Sequence, residues 1–416
     1  MNFDKYRQAC LERFLRYVAV DTQSEPGTSR YPSTEKQLVL LQMLADELKE
    51  MGVAEVELDA YGYVTATVPT NVPGAPAVVG LMAHVDTSPE MSGKDVKPII
   101  HTKYQGQDLV LPDDPATVIK LSDNPELQSQ MGNDIVTASG TTLLGADNKA
   151  GVAEIMTAVQ IWLENPELPR ATMRIAFTPD EEIGAGTKHF DLEKFGAQCA
   201  YTIDSSALGQ LDTETFSADA MTVTFKGFNT HPGNAKGKMV NAIKVAADFI
   251  ARLPKDTLSP ETTEGRVGFF HPMTLNGSVD KATVIFIIRD FVTAALAEKE
   301  AMLEAFAAAA VAAYPGASYE VEVVEQYRNM REILDQHPQV VDFARQAIAR
   351  AGIALREEAV RGGTDGAHLC FQGLPTPNIF AGEHNYHSRY EWVSVQDMQK
   401  AVEVIVHLGQ LWSEFR

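Results

Sequence analysis

The sequence predicts an α/β protein, a mixed sheet with helices on both faces, interrupted by an inserted ferredoxin-like α+β unit. Three observations predict it. Apolar runs suited to buried strands alternate with stretches whose apolar residues recur at helical spacing. Three clusters of acidic residues or histidine follow apolar runs: Gly80-Leu81-Met82-Ala83-His84-Val85-Asp86-Thr87, Leu143-Leu144-Gly145-Ala146-Asp147-Asn148-Lys149-Ala150-Gly151, and Arg174-Ile175-Ala176-Phe177-Thr178-Pro179-Asp180-Glu181-Glu182. Ligand-bearing side chains where buried elements stop are how α/β proteins build a metal site, at the carboxyl ends of strands. From about Asp212 the order changes to strand-helix-strand-strand-helix-strand.

A chain of 416 residues is too long for one ordinary core, so two domains are expected: a first segment 1–212, an insert 213–326 and a returning segment 327–416. Hydrophobic content of 45% and charged content of 22% are those of a globular protein. The formal net charge of −21 argues against nucleic acid as a partner, because a nucleic-acid binder needs a basic surface to displace counterions. The three cysteines, Cys10, Cys199 and Cys370, are scattered and lack CxxC spacing, so neither a disulfide framework nor a thiolate zinc site is expected. No apolar run is long enough to span a bilayer, and the N-terminus has no signal core. The expectation is a cytoplasmic protein with no membrane partner.

Helical spacing covers Asp4 to Val20. Thr34 with Gln37 resembles a capping box opening a helix with Leu38, Leu41, Leu44 and Leu48 on one face. Val56–Asp59 and Tyr63–Val68 flank a Tyr61-Gly62 turn and predict a strand pair. Ala77 to Ala83 predicts a strand covered on both faces, and extended geometry past its end would point His84 and Asp86 the same way. Alone, a His-x-Asp is equally a strand-end histidine and a capping aspartate. Asp147 precedes a buried helical stripe of Val152, Ile155, Met156, Val159 and Trp162, where a plain N-cap is the simple reading. Lys149 is placed to pair with a carboxylate. Met173 to Phe177 predicts another strand; on an extended backbone Glu181 and Glu182 would face opposite ways, so that one binds a metal and the other holds a water. Cys199 to Asp204 is a third strand with an acidic end.

In the insert, strands are expected at Ala220–Phe225, Gly268–His271, Ala282–Arg289 and Tyr319–Val324. Helices are expected at Val240–Leu253 and Ala294–Ala313. Beyond it, Pro338 opens a helix, Arg361-Gly362-Gly363-Thr364-Asp365-Gly366 turns into another, and Pro377–Phe380 is a strand. Then come Glu383-His384-Asn385-Tyr386-His387 and a C-terminal helix through Val402, Ile405 and Leu411.

Together these place His84, Asp86, Asp147, Glu181, Glu182, Asp204 and His387 at strand or loop ends of one domain. Nitrogen and oxygen donors without sulfur suit zinc, cobalt or manganese, and two nearby cations need a bridging carboxylate and a separate base. These motifs resemble those of the M20 metallopeptidase family. The likeness runs almost end to end, continuing through Tyr201-Thr202-Ile203-Asp204, His231-Pro232-Gly233-Asn234-Ala235-Lys236-Gly237, Ile288-Arg289-Asp290-Phe291, Arg361–Gly366 and Asn385-Tyr386-His387.

The resemblance implies a zinc-peptidase catalytic domain, formed by segments 1–212 and 327–416, and an inserted lid that serves for dimerisation. It implies two zinc ions, one held by His84 and Asp204 and one by Glu182 and His387, with Asp147 bridging. Asp86 would orient His84, and Glu181 would be the general base. His231 would donate to the oxyanion, and Arg289 and Arg361 would bind the carboxylate of a short peptide, unless each is an ordinary strand-end histidine or an arginine paired to Asp290 or Asp365. The implied activity is an aminopeptidase acting on short peptides, tripeptides above all. Other hydrolases of the family and a non-catalytic binding protein on the same scaffold are the rivals. Three positions depart from the pattern: Asn148 where a second Asp is usual, Ser205-Ser206 where Gly-Gly is usual, and Glu383-His384 before Asn385. Spacing alone does not choose between His384 and His387; the family pattern chooses His387.

Overall fold

The computed structural model describes residues 1–74 and 77–415. The chain forms two compact units, one of Met1–Thr213, Glu332–Glu358 and Thr364–Arg416, the other of Glu214–Arg331 and Ala359–Gly363.

The first unit is built on an eight-stranded sheet in the order Ala54–Leu58, Val64–Val68, Thr172–Thr178, Val78–His84, Cys199–Ser205, Asn378–Phe380, Gln210–Thr215, Arg356–Val360. The four strands from Thr172–Thr178 to Asn378–Phe380 run parallel. Val64–Val68 is antiparallel to both its neighbours, as Gln210–Thr215 is to Asn378–Phe380. Parallel strands are buried on both faces and need continuous apolar runs; Leu81, Met82, Ala83, Ile175, Ala176, Phe177, Ala200, Tyr201 and Ile203 supply them and are all buried.

Alternation then sends neighbouring side chains to opposite helical layers. The Tyr201 hydroxyl donates to the Val340 carbonyl of helix Pro338–Arg350 at 2.7 Å and accepts from Trp412 of helix Val395–Glu414 at 2.9 Å. Ala200, one residue back, packs instead with Phe195 and Leu369. Because the four central strands share a direction, His84, Thr178, Asp204 and Phe380 all come to the same edge of the sheet.

The expected capping box is not formed. Helix Gln37–Glu50 has no side-chain cap; Thr34 donates to the Gln23 carbonyl, and the Gln37 amide donates to Asp180 Oδ1 at 2.6 Å. A buried carboxylate brought in by the sheet takes the side chain that the local pattern assigned to the helix end.

The second unit has the order Phe269–Gly277, Lys281–Asp290, Ser217–Lys226, Ser318–Tyr327, with every neighbouring pair antiparallel. Helices Ala242–Ala251 and Ala294–Ala312 close one face over Met221, Val223, Phe225, Val284, Phe286 and Ile288. Among the described residues no helix is long and apolar enough to cross a membrane, and the three cysteines are free and buried.

Glu154 sits fully buried in helix Ala146–Glu164, and neither carboxyl oxygen has a hydrogen-bond partner among the described residues. Burial, with Asp397 adding like charge, pushes its carboxyl well above the usual range, so it folds protonated. A raised folded-state pKa contributes stability below the unfolded value and loses it as pH rises toward the folded one. Glu154→Met should therefore stabilise the protein by about 1–3 kcal/mol, the cost of an unsatisfied buried polar group. The gain should be larger at pH 8 than at pH 5 in thermal melts, and a variant destabilised at both pH values would contradict this account.

Candidate metal centre

At the shared strand edge of the first unit, His84 ends its strand and is buried. Its Nδ1 lies 3.0 Å from the Asp86 carbonyl and 3.3 Å from Asp86 Oδ1. That places the ring proton on Nδ1 and turns the Nε2 lone pair toward Asp147 Oδ1 at 3.0 Å and Asp204 Oδ1 at 3.3 Å. On the other side of Asp147, Oδ2 lies 3.1 Å from His387 Nε2, which also meets Glu182 Oε2 at 2.8 Å. The donors thus form two groups, His84-Asp147-Asp204 and Asp147-Glu182-His387, sharing Asp147. A tetrahedral shell with bonds of about 2.0–2.1 Å has edges of roughly 3.3 Å, close to these donor separations. Glu182 Oε1 and Asp204 Oδ1 are buried without hydrogen-bond partners, as expected of oxygens meant for a cation.

The backbone explains how Asp147 reaches both rings. It is not an N-cap: Gly145 takes that place with φ +81°, a left-handed turn that a side chain would strain, and Asp147 and Asn148 inside the helix keep non-helical angles. Asn148 is buried with its amide unpartnered. Lys149 does not pair with a carboxylate; its Nζ donates to the Val20 carbonyl at 2.8 Å, and burial lowers its pKa to about 8.

Glu182 joins a donor group and Glu181 does not, and the backbone that carries them is not extended. Asp180 enters the left-handed region at φ 59°, and Glu181–Ile183 is a single 3-10 turn. The Asp86 carboxylate holds that turn, accepting from Glu181 N–H at 3.0 Å and Glu182 N–H at 3.1 Å. Asp86 thus orients His84 and also fixes both glutamates. The Glu181 carboxyl belongs to neither donor group. Burial, with Asp365, Asp204 and Glu182 as like charges, holds it well above the usual range despite His84, and burial beside Asp147 raises Glu182 to about 8. Burial opposes charge on His387, yet Asp147 and Glu182 outweigh it and raise the ring to about 11.

His384 joins neither group. It stacks on Trp392 at 3.9 Å, and burial lowers it to about 3. The Ser205 hydroxyl bonds Asp212, and Ser206 donates to the Glu383 carbonyl at 2.7 Å.

His231, Arg289 and Arg361 belong to the second unit. His231 is exposed there, and its Nδ1 accepts from Gly233 N–H at 3.1 Å. Arg289 does not pair with Asp290, which takes Lys299; its guanidinium lies over the Tyr327 ring at 4.8 Å. Arg361 donates to the carbonyls of Gly265 and Val267 at 2.7 and 2.9 Å and to the Thr263 hydroxyl at 3.0 Å.

Two acids that the local patterns did not single out complete the site. Asp365, fully buried, accepts from Thr178 at 3.3 Å, and burial with surrounding charges raises it to about 7. Glu391, also buried, accepts backbone N–H bonds from Leu144 at 2.7 Å, Gly145 at 2.8 Å and Asp147 at 3.0 Å. Its only sequence signal is an acid four residues after His387 and just before an apolar strand.

The pattern of peptidase family M20/M25/M40 matches residues 139–410. Peptidase T of Geobacillus thermodenitrificans is 45% identical over 408 residues, 98% of this chain and 99% of that one. The structure of the aminopeptidase PepT from Bacillus cereus matches with a TM-score of 0.75 at 22% identity, covering 98% of this chain and 99% of the other. A dinuclear metal-binding M20 peptidase from Bacillus subtilis matches with a TM-score of 0.65 at 14% identity, covering 98% of each. At those identities the two structures speak for the fold.

Because Asp147 stands in both donor groups, losing its brace should affect both. Glu391→Gln keeps the shape but turns an NH2 group toward a backbone donor. Metal affinity should fall about 10–100-fold at both sites, the usual cost of losing a supporting contact. Metal content after dialysis against graded chelator checks this, with the Asp147→Ala variant as the lower limit; wild-type retention would remove Glu391 from the support of the centre.

Proposed function

The chain belongs to peptidase family M20 and is a metallopeptidase, and from that premise we propose that it is a dinuclear zinc aminopeptidase releasing the N-terminal residue of short peptides, tripeptides above all, with Glu181 as general base. The observation that carries this is the sharing of Asp147 by two donor groups, with Glu181, half-buried and next in the chain to the donor Glu182, belonging to neither. His84 and Asp204 would hold one cation, Glu182 and His387 the other, and Asp147 both. Bound zinc, or cobalt or manganese in its place, would polarise the scissile carbonyl and lower the pKa of the attacking water.

The protein's own side chains do the rest. Asp86 keeps the His84 proton on Nδ1 and holds the Glu181 turn. Glu181 accepts the proton of the attacking water and delivers it to the leaving amine. His231 is the proposed oxyanion donor. Arg289 suits the peptide carboxylate better than Arg361: among the described residues it has no hydrogen bond or ion pair, and burial works against its charge, whereas Arg361 already spends its donors on Thr263, Gly265 and Val267. We further propose that the second unit is the lid, that it supports a homodimer, and that the protein works in the cytoplasm.

Two measurements test the reading. Glu181→Ala should retain both metals while losing about 10²–10⁴-fold in kcat, the usual worth of a general base; unchanged hydrolysis would take Glu181 out of the reaction. In a panel of di-, tri- and tetrapeptides, free tripeptides should be cut fastest, and N-acetylation should abolish cleavage. A preference for acylated substrates would instead make the protein a deacylase of the same family.

A further inference from the structure

We propose that a cavity beside His387 is the subsite for the side chain of the substrate's amino-terminal residue, and that it favours a bulky or aromatic one. The proposal rests on the aminopeptidase reading and deepens it. The cavity, about 480 Å³, lies within the first unit among Ala116, Val118, Asn124, Asn385, Tyr386 and Tyr390. That volume falls in the range of small-molecule sites, roughly 300–1,000 Å³.

Its position ties it to the metal centre. Asn385 and Tyr386 immediately precede His387, and the Tyr386 ring meets the His387 imidazole edge-on at 5.3 Å. Its chemistry is that of a side-chain pocket. Tyr386 and Tyr390 leave 48% and 41% of their surface exposed, which offers two aromatic walls. Ala116 and Val118 line it with them, and Lys120, Asp123, Asn124, Asn385 and Ser388 make up a polar lining that carries one charge of each sign.

The wall is also preformed. The Asn385 amide donates to Asn124 Oδ1 at 2.6 Å and to the Tyr390 carbonyl at 3.2 Å. Asn385 and His387 both hold left-handed backbone, at φ 54° and 59°, a turn that Asn and His accept more readily than most side chains. Occupancy by the amino-terminal residue follows from charge. That end of a peptide carries an ammonium, and the first unit offers it Asp123 in the cavity lining and, outside both donor groups, Glu383, buried with Oε2 unpartnered. Arg289, proposed for the peptide carboxylate, belongs to the other unit.

The test fills the cavity. Ala116 is exposed, so Ala116→Phe should fold, and Tyr390→Ala removes a wall without filling space. kcat/KM would be compared on Phe-Gly-Gly, Gly-Phe-Gly, Gly-Gly-Phe and Gly-Gly-Gly. In Ala116→Phe the ratio of Phe-Gly-Gly to Gly-Gly-Gly should drop at least tenfold, mostly through KM, and Tyr390→Ala should lower the same ratio. An unchanged ratio, or a loss that follows phenylalanine at the second or third position, overturns the subsite while leaving the aminopeptidase intact. A wild-type protein that cleaves none of the four overturns the aminopeptidase reading and the subsite with it.

Discussion

The site depends on one carboxylate reaching two imidazoles. Asp147 puts Oδ1 against His84 and Oδ2 against His387, at 3.0 and 3.1 Å. The two rings come from opposite ends of the first unit's chain, one from the end of a central strand, the other from a loop beyond the last parallel strand. Hydrogen-bond and metal-ligand contacts tolerate errors of only a few tenths of an ångström. The sheet register, the left-handed turn at Gly145 and the His387 loop must therefore all be right together. Parallel strands make this feasible, because residues that are distant in sequence arrive at one edge with their directions already set.

That edge gathers far more acid than water-free surroundings tolerate, and the structure shows how it is held. The supporting carboxylates are satisfied by donors from turns distant in sequence, backbone N–H groups for Asp86 and Glu391 and a mixture of backbone and side-chain donors for Asp180. Asp86 takes two N–H groups from the Glu181 turn, Glu391 takes three from the Asp147 turn, and Asp180 takes the Ser33 N–H together with the Gln37 amide. A carboxylate that accepts several N–H bonds can fix a loop as firmly as a helix cap does. The donor carboxyls are treated differently: Glu182 and Asp204 each keep an oxygen without a hydrogen-bond donor.

Much of this was legible in the sequence, and the failures have a common cause. Strands ending at His84, Thr178 and Asp204 follow from unbroken apolar runs, and the insert's strand order follows from its alternation of periods, because both signals are local. Glu391 was invisible for the opposite reason. Its partners lie 244–247 residues away, and one acid before Trp392 looks like any other. The Thr34–Gln37 cap failed because Asp180, also distant in sequence, competes for Gln37. The expectation of an extended backbone at Glu181 and Glu182 fails: a left-handed Asp180 and a 3-10 turn carry them, not a strand. Between His384 and His387 the local sequence does not decide, and only the family pattern favours His387. The physical reason, the stacking of His384 on Trp392, needs the short strand pairing that brings the two rings face to face.

Glu181 shows why frame and centre must be considered as one electrostatic object. Its carboxyl is held above the usual range by burial and by Asp365, Asp204 and Glu182, which on side chains alone favours the protonated form. Two of those three like charges, Asp204 and Glu182, are donors in the groups that share Asp147. Positive charge placed in those groups would cancel their push and favour the ionised form, while Asp365, outside the groups, would keep the carboxyl from becoming too weak a base. On the proposed reading, then, the basicity of Glu181 is coupled to the state of the centre beside it: the same carboxyl stays neutral when the donors carry only protons and becomes able to accept one when they do not. A base placed further away would lose that coupling, and one placed among the donors would be consumed as a ligand. The 3-10 turn fixed by Asp86 supplies the intermediate position, one residue from a donor.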